Sequence, residues 1–427
     1  MRVLLLNQFF PPDTAATGQL LADVAQGLAR AGHEVHVVAS AGSYGGGRVH
    51  VDGTGLGEGI RVHRVGATAR GRVRAFDRLV DWGSYYALAT ARSLRLGRFD
   101  ACLALTTPPF IGAAGVLLKR LRGTRLVLWS MDMWPDVAEA LGTIRPDARV
   151  ARALRRSATA IYRNADCIVS LGTAMDARLR DYGVPPQRIR TVHNWVPAES
   201  VKPVAREEAG LPGLGPLAGS FVVMYSGNMG MAHEFDTILD AAGLLQADPA
   251  VRFAFVGGGR RRAEVEEGVA RRGLRNVAFL ESMPLRDLAG LLAAADVHLV
   301  SMRDEVTGLL VPSKIYGILA AGRPALFVGP ARCEVADLIE ASESGARFRP
   351  GDARGLAHRI ASLVHDRDEA RKLGRAGRAY YERFLGRDRS VAAIVAAVTG
   401  ADAPAEAGRP PSRPGRAEAA VVAESSA

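Results

Sequence analysis

Short apolar runs recur along the chain, and each ends in a polar or glycine-rich turn. Residues 2–6 open with the unbroken run RVLLL, and 34–39, 101–105, 126–129, 168–171 and 189–192 repeat the pattern. Runs this short and this continuous predict strands covered on both faces, as in parallel sheets flanked by helices. Between the first two, residues 20–31 place Leu20, Leu21, Val24, Ala25 and Leu28 on one helical side. Residues 61–65 predict a shorter strand. Residues 72–96 predict a helix in which Phe76, Leu79, Val80, Trp82, Tyr85, Tyr86 and Leu88 mix with arginines. That mixture fits core packing against a sheet or an apolar face lying on a bilayer surface. After residue 218 the alternation restarts, with strands at 221–225, 252–256, 277–280, 296–302 and 325–328 and helices at 352–365, 368–384 and 388–399. The pattern describes two Rossmann-like α/β domains, 1–197 and 219–385, with a Pro-, Gly- and charge-rich linker at 198–218. Residues 40–59 hold eight glycines and read as a mobile surface loop. Residues 401–427 are too poor in apolar side chains to bury a core and read as disordered.

Sheets of this kind bind ligands at the carboxyl ends of their strands, so the turns there hold the candidate chemistry. In GLLVPSKIYGILAAGRP, residues 308–324, a helix is expected from about Pro312, which suits a first helical turn because it lacks an N–H. Ser313 and Lys314 would then sit at a helix N-terminus, where free N–H groups and a partial positive charge attract anions. The segment reads as a diphosphate cradle or, equally, as a Ser cap with a solvated Lys. Gly227, Asn228 and Gly230 follow the strand at 221–225; Gly257, Gly259 and Arg260 follow the one at 252–256. Glycines let backbone amides approach a phosphate, and tight turns use the same letters. In the first domain, Gly18 lies in the loop after the first strand and Asp132 just past residue 129. A carboxylate there can take a proton from a hydroxyl or orient it. The plainer reading is a helix capped by Asp132 or Asp136. His33 is read as a helix-end residue.

The 427 residues carry a formal charge of +11. Between Arg61 and Arg125 there are 13 Lys or Arg against three Asp, so the excess is concentrated in the first half. An anionic membrane surface would attract such a region, and general arginine usage would also produce it. No nucleic-acid motif accompanies it. The three cysteines, Cys102, Cys167 and Cys333, are scattered, which argues against a disulfide framework or a cysteine metal site. The first apolar run is too short for a secretory signal, and the long uncharged stretches at 101–118 and 209–232 are broken by Pro and Gly. A cytoplasmic location, peripheral on the inner face of the plasma membrane, is expected.

Further runs carry a resemblance. Beside Pro312-Ser313-Lys314 and Ala320-Ala321-Gly322-Arg323-Pro324 stand Gly32-His33-Glu34-Val35, Asp132-Met133-Trp134-Pro135-Asp136 and His193-Asn194-Trp195-Val196-Pro197. Over residues 1–398 the chain resembles glycosyltransferases of the GT-B fold, family 4, in the branch that builds bacterial surface polysaccharides. The resemblance implies two Rossmann-like domains facing across a cleft, the first binding the acceptor and the second a nucleotide-diphosphate sugar. A helix at 386–400 would cross back to the first domain. It implies a retaining, metal-independent hexosyl- or N-acetylhexosaminyl-type transfer to a lipid-linked or glycan acceptor, with no cofactor besides the donor substrate. Asp132 and Lys314 would be catalytic. Gly227, Asn228, Gly230, Gly257, Gly259, Arg260, Pro312, Ser313 and Lys314 would hold the donor, with Met283 in the loop against which the base packs. Gly18, Asp132 and Trp134 would hold the acceptor. Two features depart from the family. Met131 stands where many members carry a His, and Leu309 and Gly317 stand where most carry two glutamates, leaving Tyr316, Asp304 or Glu305 as substitutes. Rival readings are a nucleotide-sugar 2-epimerase on the same scaffold and a non-catalytic nucleotide-sugar binder. An NAD dehydrogenase is disfavoured because no strand leads into a full Gly-x-Gly-x-x-Gly.

Overall fold

The computed structural model describes residues 1–43, 57–66, 75–196, 201–209, 217 and 219–402, with the backbone alone at 75–79 and 207. Most of the expected loop at 40–59, the start of the helix at 72–96, much of the linker and the tail from 403 onward lie outside them. The first sheet contains β1 (Arg2–Leu6), β2 (Glu34–Ser40), β3 (Ile60–Val65), β4 (Ala101–Leu105), β5 (Arg125–Trp129), β6 (Cys167–Ser170) and β7 (Ile189–Thr191). The second contains β8 (Phe221–Ser226), β9 (Val251–Val256), β10 (Val277–Leu280), β11 (Val297–Ser301), β12 (Ala325–Val328) and β13 (Gly345–Phe348). Every pairing is parallel. The orders are β3-β2-β1-β4-β5-β6-β7 and β10-β9-β8-β11-β12-β13. Both are doubly wound sheets whose order reverses once, between β1 and β4 and between β8 and β11, and that reversal opens a crevice at the carboxyl ends.

The short apolar runs form strands because both faces are covered. Along β8, Phe221, Val223 and Tyr225 enter one core while Val222 and Met224 enter another, the two-residue alternation of a pleated strand. The uncharged stretches at 101–118 and 209–232 contain β4 and β8. Among the described residues no helix is long and apolar enough to cross a membrane.

The chain folds as two compact units. The first contains Met1–Glu199, Arg303–Ser313 and the last described helix, Arg387–Thr399. The reading that placed residues 303–313 in the second domain is therefore corrected. Leu309 is 3% exposed in the first unit's core, Leu310 bridges Asp132, and Met133 N–H donates to the Leu309 carbonyl at 2.8 Å. Gly308, at φ +75°, lies against the Ala174 carbonyl, where a Cβ would come within 2.6 Å of the oxygen. Pro312 also moves: the helix begins at Lys314 and runs only to Ala320, so Pro312 precedes it. β13 and the helix before it, Glu334–Ser342, went unread because GARF carries no apolar run.

Several of the basic residues around 61–125 make contacts inside the first unit. Arg64 donates to the carbonyls of Phe10, Pro11 and Ser40, Arg125 donates to Ala397, and Lys119 pairs with Asp166. In the helix at 72–96, Tyr85 is wholly buried and donates to the Val38 carbonyl at 2.9 Å. Core packing thus explains that aromatic.

The last helix docks on Ala16–Arg30 through Gly27, where a Cβ would collide with a Val391 methyl. Arg387 fixes the contact through Asp23 at 2.9 Å. Gly27→Ala is expected to destabilise the first unit by about 1–3 kcal/mol, the usual penalty of overpacking. Val391→Ala should recover part of that loss in the double variant, read as a non-additive shift in urea unfolding.

Candidate active site

In the second unit, β8 leads into a turn whose backbone only glycine adopts easily: Gly227 has φ +120°. The turn after β9 has Gly257 at φ +117° and Gly259 at φ +139°. The two turns clamp each other. Gly227 N–H donates to Val256 O at 2.9 Å, Met229 N–H to Gly258 O at 2.7 Å, and Arg261 N–H to Met229 O at 3.0 Å. A Cβ on Gly257 would come within 2.6 Å of the Gly227 carbonyl oxygen, and one on Gly259 within 2.6 Å of the Met229 nitrogen. These glycines are required by backbone packing. The expected use of the turn amides for a phosphate is corrected for three of them. Those of Gly227 and Met229 are bonded within the clamp, and that of Gly257 bonds Leu280 O at 3.0 Å.

Lys314 enters this turn from the far side of the order reversal. Its Nζ lies 3.3 Å from the centroid of the Tyr225 ring, and a Cβ on Gly227 would be 3.8 Å from it. Tyr225 is held beneath by its hydroxyl, which donates to Asn228 O at 3.0 Å. The amine is shut off from solvent and has no hydrogen-bond acceptor among the described residues. Burial pushes its pKa well below the usual lysine range. A charged amine facing only an aromatic ring keeps a fraction of its lost hydration, so the arrangement is unfavourable until an anion arrives.

His233 was missed by the sequence reading. Its Nδ1 donates to Ser301 O, at the end of β11, at 2.7 Å, which leaves Nε2 as the ring's acceptor. Burial, then the nearby Lys314 charge, pushes its pKa down to about 3. The ring is therefore neutral at pH 7. A His three residues after Gly230 was the available signal.

Of the other candidates, Asn228 and Gly230 lie in the same clamp, with Asn228 exposed. Arg260 is exposed. Its neighbours are committed: Arg261 to Glu264 and the His233 carbonyl, Arg262 to Glu266, Glu281 and the Gly257 carbonyl. Met283 packs against the Val222 and Met224 face of the sheet. Pro312 is buried and Ser313 exposed; both close the Arg303–Ser313 segment of the first unit. Tyr316, offered as a glutamate substitute, is wholly buried in the helix, while Asp304 and Glu305 belong to the first unit's segment.

In the first unit, Asp132 follows β5 and shares a cavity of about 20 Å³ with Trp134, Thr106, Phe110 and Tyr162. Room for one water is what such a volume allows. Thr106 Oγ1 accepts from the Met131 and Asp132 amides at 3.0 and 3.2 Å. This ties the carboxyl ends of β4 and β5 together. Desolvation pushes the Asp132 carboxyl up to about 6. Neither carboxylate caps a helix: the helix Asp136–Ala140 starts after Pro135 with no side-chain cap, and Asp136 accepts from Tyr182 at 2.5 Å. Met131, where the resemblance led to an expected His, is buried, with Asn194 Nδ2 3.8 Å from its sulfur. Gly18 instead has Phe9 and Phe10 as its neighbours. It is buried in the helix Ala16–Arg30, where a Cβ would press on the Phe9 carbonyl at 3.0 Å.

Comparison with known proteins identifies the family. Residues 16–195 match the glycosyl transferase 4-like domain and residues 220–366 the glycosyl transferases group 1 domain. WbjE of Pseudomonas aeruginosa, assigned by name as a glycosyltransferase, is 30% identical over 269 residues, 63% of this chain and 67% of WbjE. WcaI of Escherichia coli strain K12, assigned by name as a colanic acid biosynthesis glycosyl transferase, is 26% identical over 366 residues, 80% of this chain and 86% of WcaI. The crystal structure of Anabaena HepE in complex with UDP and glucose superposes with a TM-score of 0.69 at 16% identity, covering 94% of this chain and 100% of HepE. With both domain matches in order, a relative at this identity and the shared two-sheet architecture, the chain belongs to the glycosyltransferases of the GT-B fold.

Proposed function

We propose that the protein transfers a sugar from a nucleotide-diphosphate donor to a lipid-linked or glycan acceptor of a bacterial surface polysaccharide. The observation that carries the donor assignment is the buried, unpartnered amine of Lys314 beside the glycine clamp. An anion is what that amine lacks, and the crevice at the order reversal is where such sheets take nucleotides. The UDP bound to HepE and the colanic acid assignment of WcaI support the class of donor and of product.

Breaking the bond between the sugar's anomeric carbon and the diphosphate leaves negative charge on the departing oxygen. Lys314 stabilises that charge most when it is most developed, which lowers the barrier. In this reading the protein cation does the work of a metal ion, and the acceptor oxygen attacks on the face the diphosphate leaves, so configuration is retained. Asp132 takes the acceptor's proton or holds its hydroxyl. A carboxyl that titrates near 6 is mostly ionised at pH 7 yet basic enough for that role.

Two outcomes test the reading. UDP at about 100 times its Kd should stabilise the wild type by about 2.7 kcal/mol, read as a rise in melting temperature. Lys314→Met should lose that rise while the unliganded protein melts at the same temperature or higher. The amine's depressed pKa makes its proton oppose folding below the ordinary value of 10.5. A variant that melts lower and still responds fully to UDP would assign Lys314 to structure alone. Separately, kcat/KM should fall as pH drops through about 6, where Asp132 gains its proton. Asp132→Asn should remove that limb and reduce the plateau by about 10²–10⁴-fold. An unchanged acid limb in Asp132→Asn would exclude the assignment.

A further inference from the structure

At the opposite end of the second sheet lies a cavity of about 700 Å³. Phe221 opens β8, Asp296 precedes β11, and Gly322, Arg323 and Pro324 precede β12; all five line it. The amino ends of these strands therefore surround the space. β8 has six residues and is about 20 Å long, so the cavity and the Lys314 turn sit at opposite ends of one sheet. The volume is within the range of small-molecule sites, about 300–1,000 Å³.

Its walls hold five arginines and one carboxylate: Arg206, Arg323, Arg367, Arg371 and Arg375 against Asp296. Two of the arginines are committed. Arg206 pairs with Asp296 and donates to Ser220 O at 2.6 Å, and Arg323 donates to Val204 O at 2.9 Å. The other three stand on the helix Arg367–Tyr380 four residues apart, so they form one stripe. Arg371 has an exposed pairing with Asp368 at 2.5 Å, which is worth little. The guanidinium of Arg367 lies 5.7 Å from the centroid of the Phe221 ring. Arg375 is exposed. Like charges at this spacing destabilise an isolated helix.

What the packing does require is the position of this helix. Gly374 meets the backbone of Gly322 so closely that a Cβ would strike the Gly322 carbonyl oxygen. Gly322 itself has φ +67°, and Arg378 donates to the Ala320 carbonyl. The Ala-Ala-Gly-Arg-Pro run therefore serves this end of the sheet. It ends the helix that begins at Lys314 and presents the arginine stripe to the cavity.

We propose that this cavity is a second ligand site, distinct from the donor crevice, for a small phosphorylated ligand, with Arg367, Arg371 and Arg375 binding the phosphate. The same chemistry describes a free phosphorylated metabolite and a phosphorylated lipid headgroup.

Isothermal titration of the full-length protein with inorganic pyrophosphate, at about 0.15 M salt to screen diffuse attraction, tests it. The Lys314→Met background removes the contribution of the proposed donor site. There, Arg371→Gln/Arg375→Gln should weaken pyrophosphate binding at least tenfold. Lys372→Gln/Arg271→Gln, with the same charge change on exposed positions, should leave it unchanged. Equal affinities in the two double variants would overturn the proposal. Failure of the donor reading looks different: Lys314→Met would then have no effect while the arginine effect persists. Flotation with phosphatidate and phosphatidylcholine vesicles separates the sources. Arginine-dependent capture by phosphatidate assigns a headgroup, and pyrophosphate binding without capture assigns a soluble phosphate.

Discussion

A lysine amine buried without an acceptor is expensive. Charges inside a protein are ordinarily paired, and an unpaired one loses its proton or acquires a partner. Lys314 has an aromatic face at 3.3 Å and a glycine turn beside it, so the only inexpensive way to keep its charge is to bind an anion. The surrounding structure maintains that condition. Tyr225 supplies the floor, the turns at Gly227 and Gly259 clamp each other beside it, and burial keeps His233 neutral while Ser301 fixes which ring nitrogen carries the proton. A cationic His233 would repel the lysine's proton; the neutral ring does not. Burial thus disfavours the charged form of both groups at this turn.

The first unit uses desolvation in the other direction. Asp132 sits among Trp134, Phe110 and Tyr162, and its carboxyl is pushed up to about 6. One buried group is a reluctant cation and the other a reluctant anion. The Arg303–Ser313 segment packs behind Asp132 through Leu309 and Leu310. The apolar side chain at 309, where the resemblance led to an expected glutamate, is core here.

The two sheets were readable because each strand is an apolar run that must be covered on both faces, and each helix has a buried side at the expected spacing. Lys314 and the glycines were readable because few residue types fit their places. The function of the glycines was not. Gly257 and Gly259 look like phosphate-binding letters, and only coordinates reveal that a carbonyl and an amide of the neighbouring turn occupy the space of the missing Cβ. The allegiance of residues 303–313 was hidden for a similar reason, since it depends on partners such as Ala174 and Met133 far away in sequence. The arginine cavity is assembled from separate segments of the second unit. Its one local signal, arginine at 367, 371 and 375, lay in a helix whose exposed face had no assigned neighbour.

The account depends on the protonation of one amine. Calorimetry of UDP binding at about pH 8.5, in buffers of differing ionisation enthalpy, measures the protons taken up on binding. The phosphate, with a second pKa near 6, contributes little at that pH. If binding favours the charged form of a lysine whose pKa burial lowers, binding should take up protons, and that uptake should vanish in Lys314→Met. Binding with no proton uptake, or with the same uptake in both proteins, would contradict it.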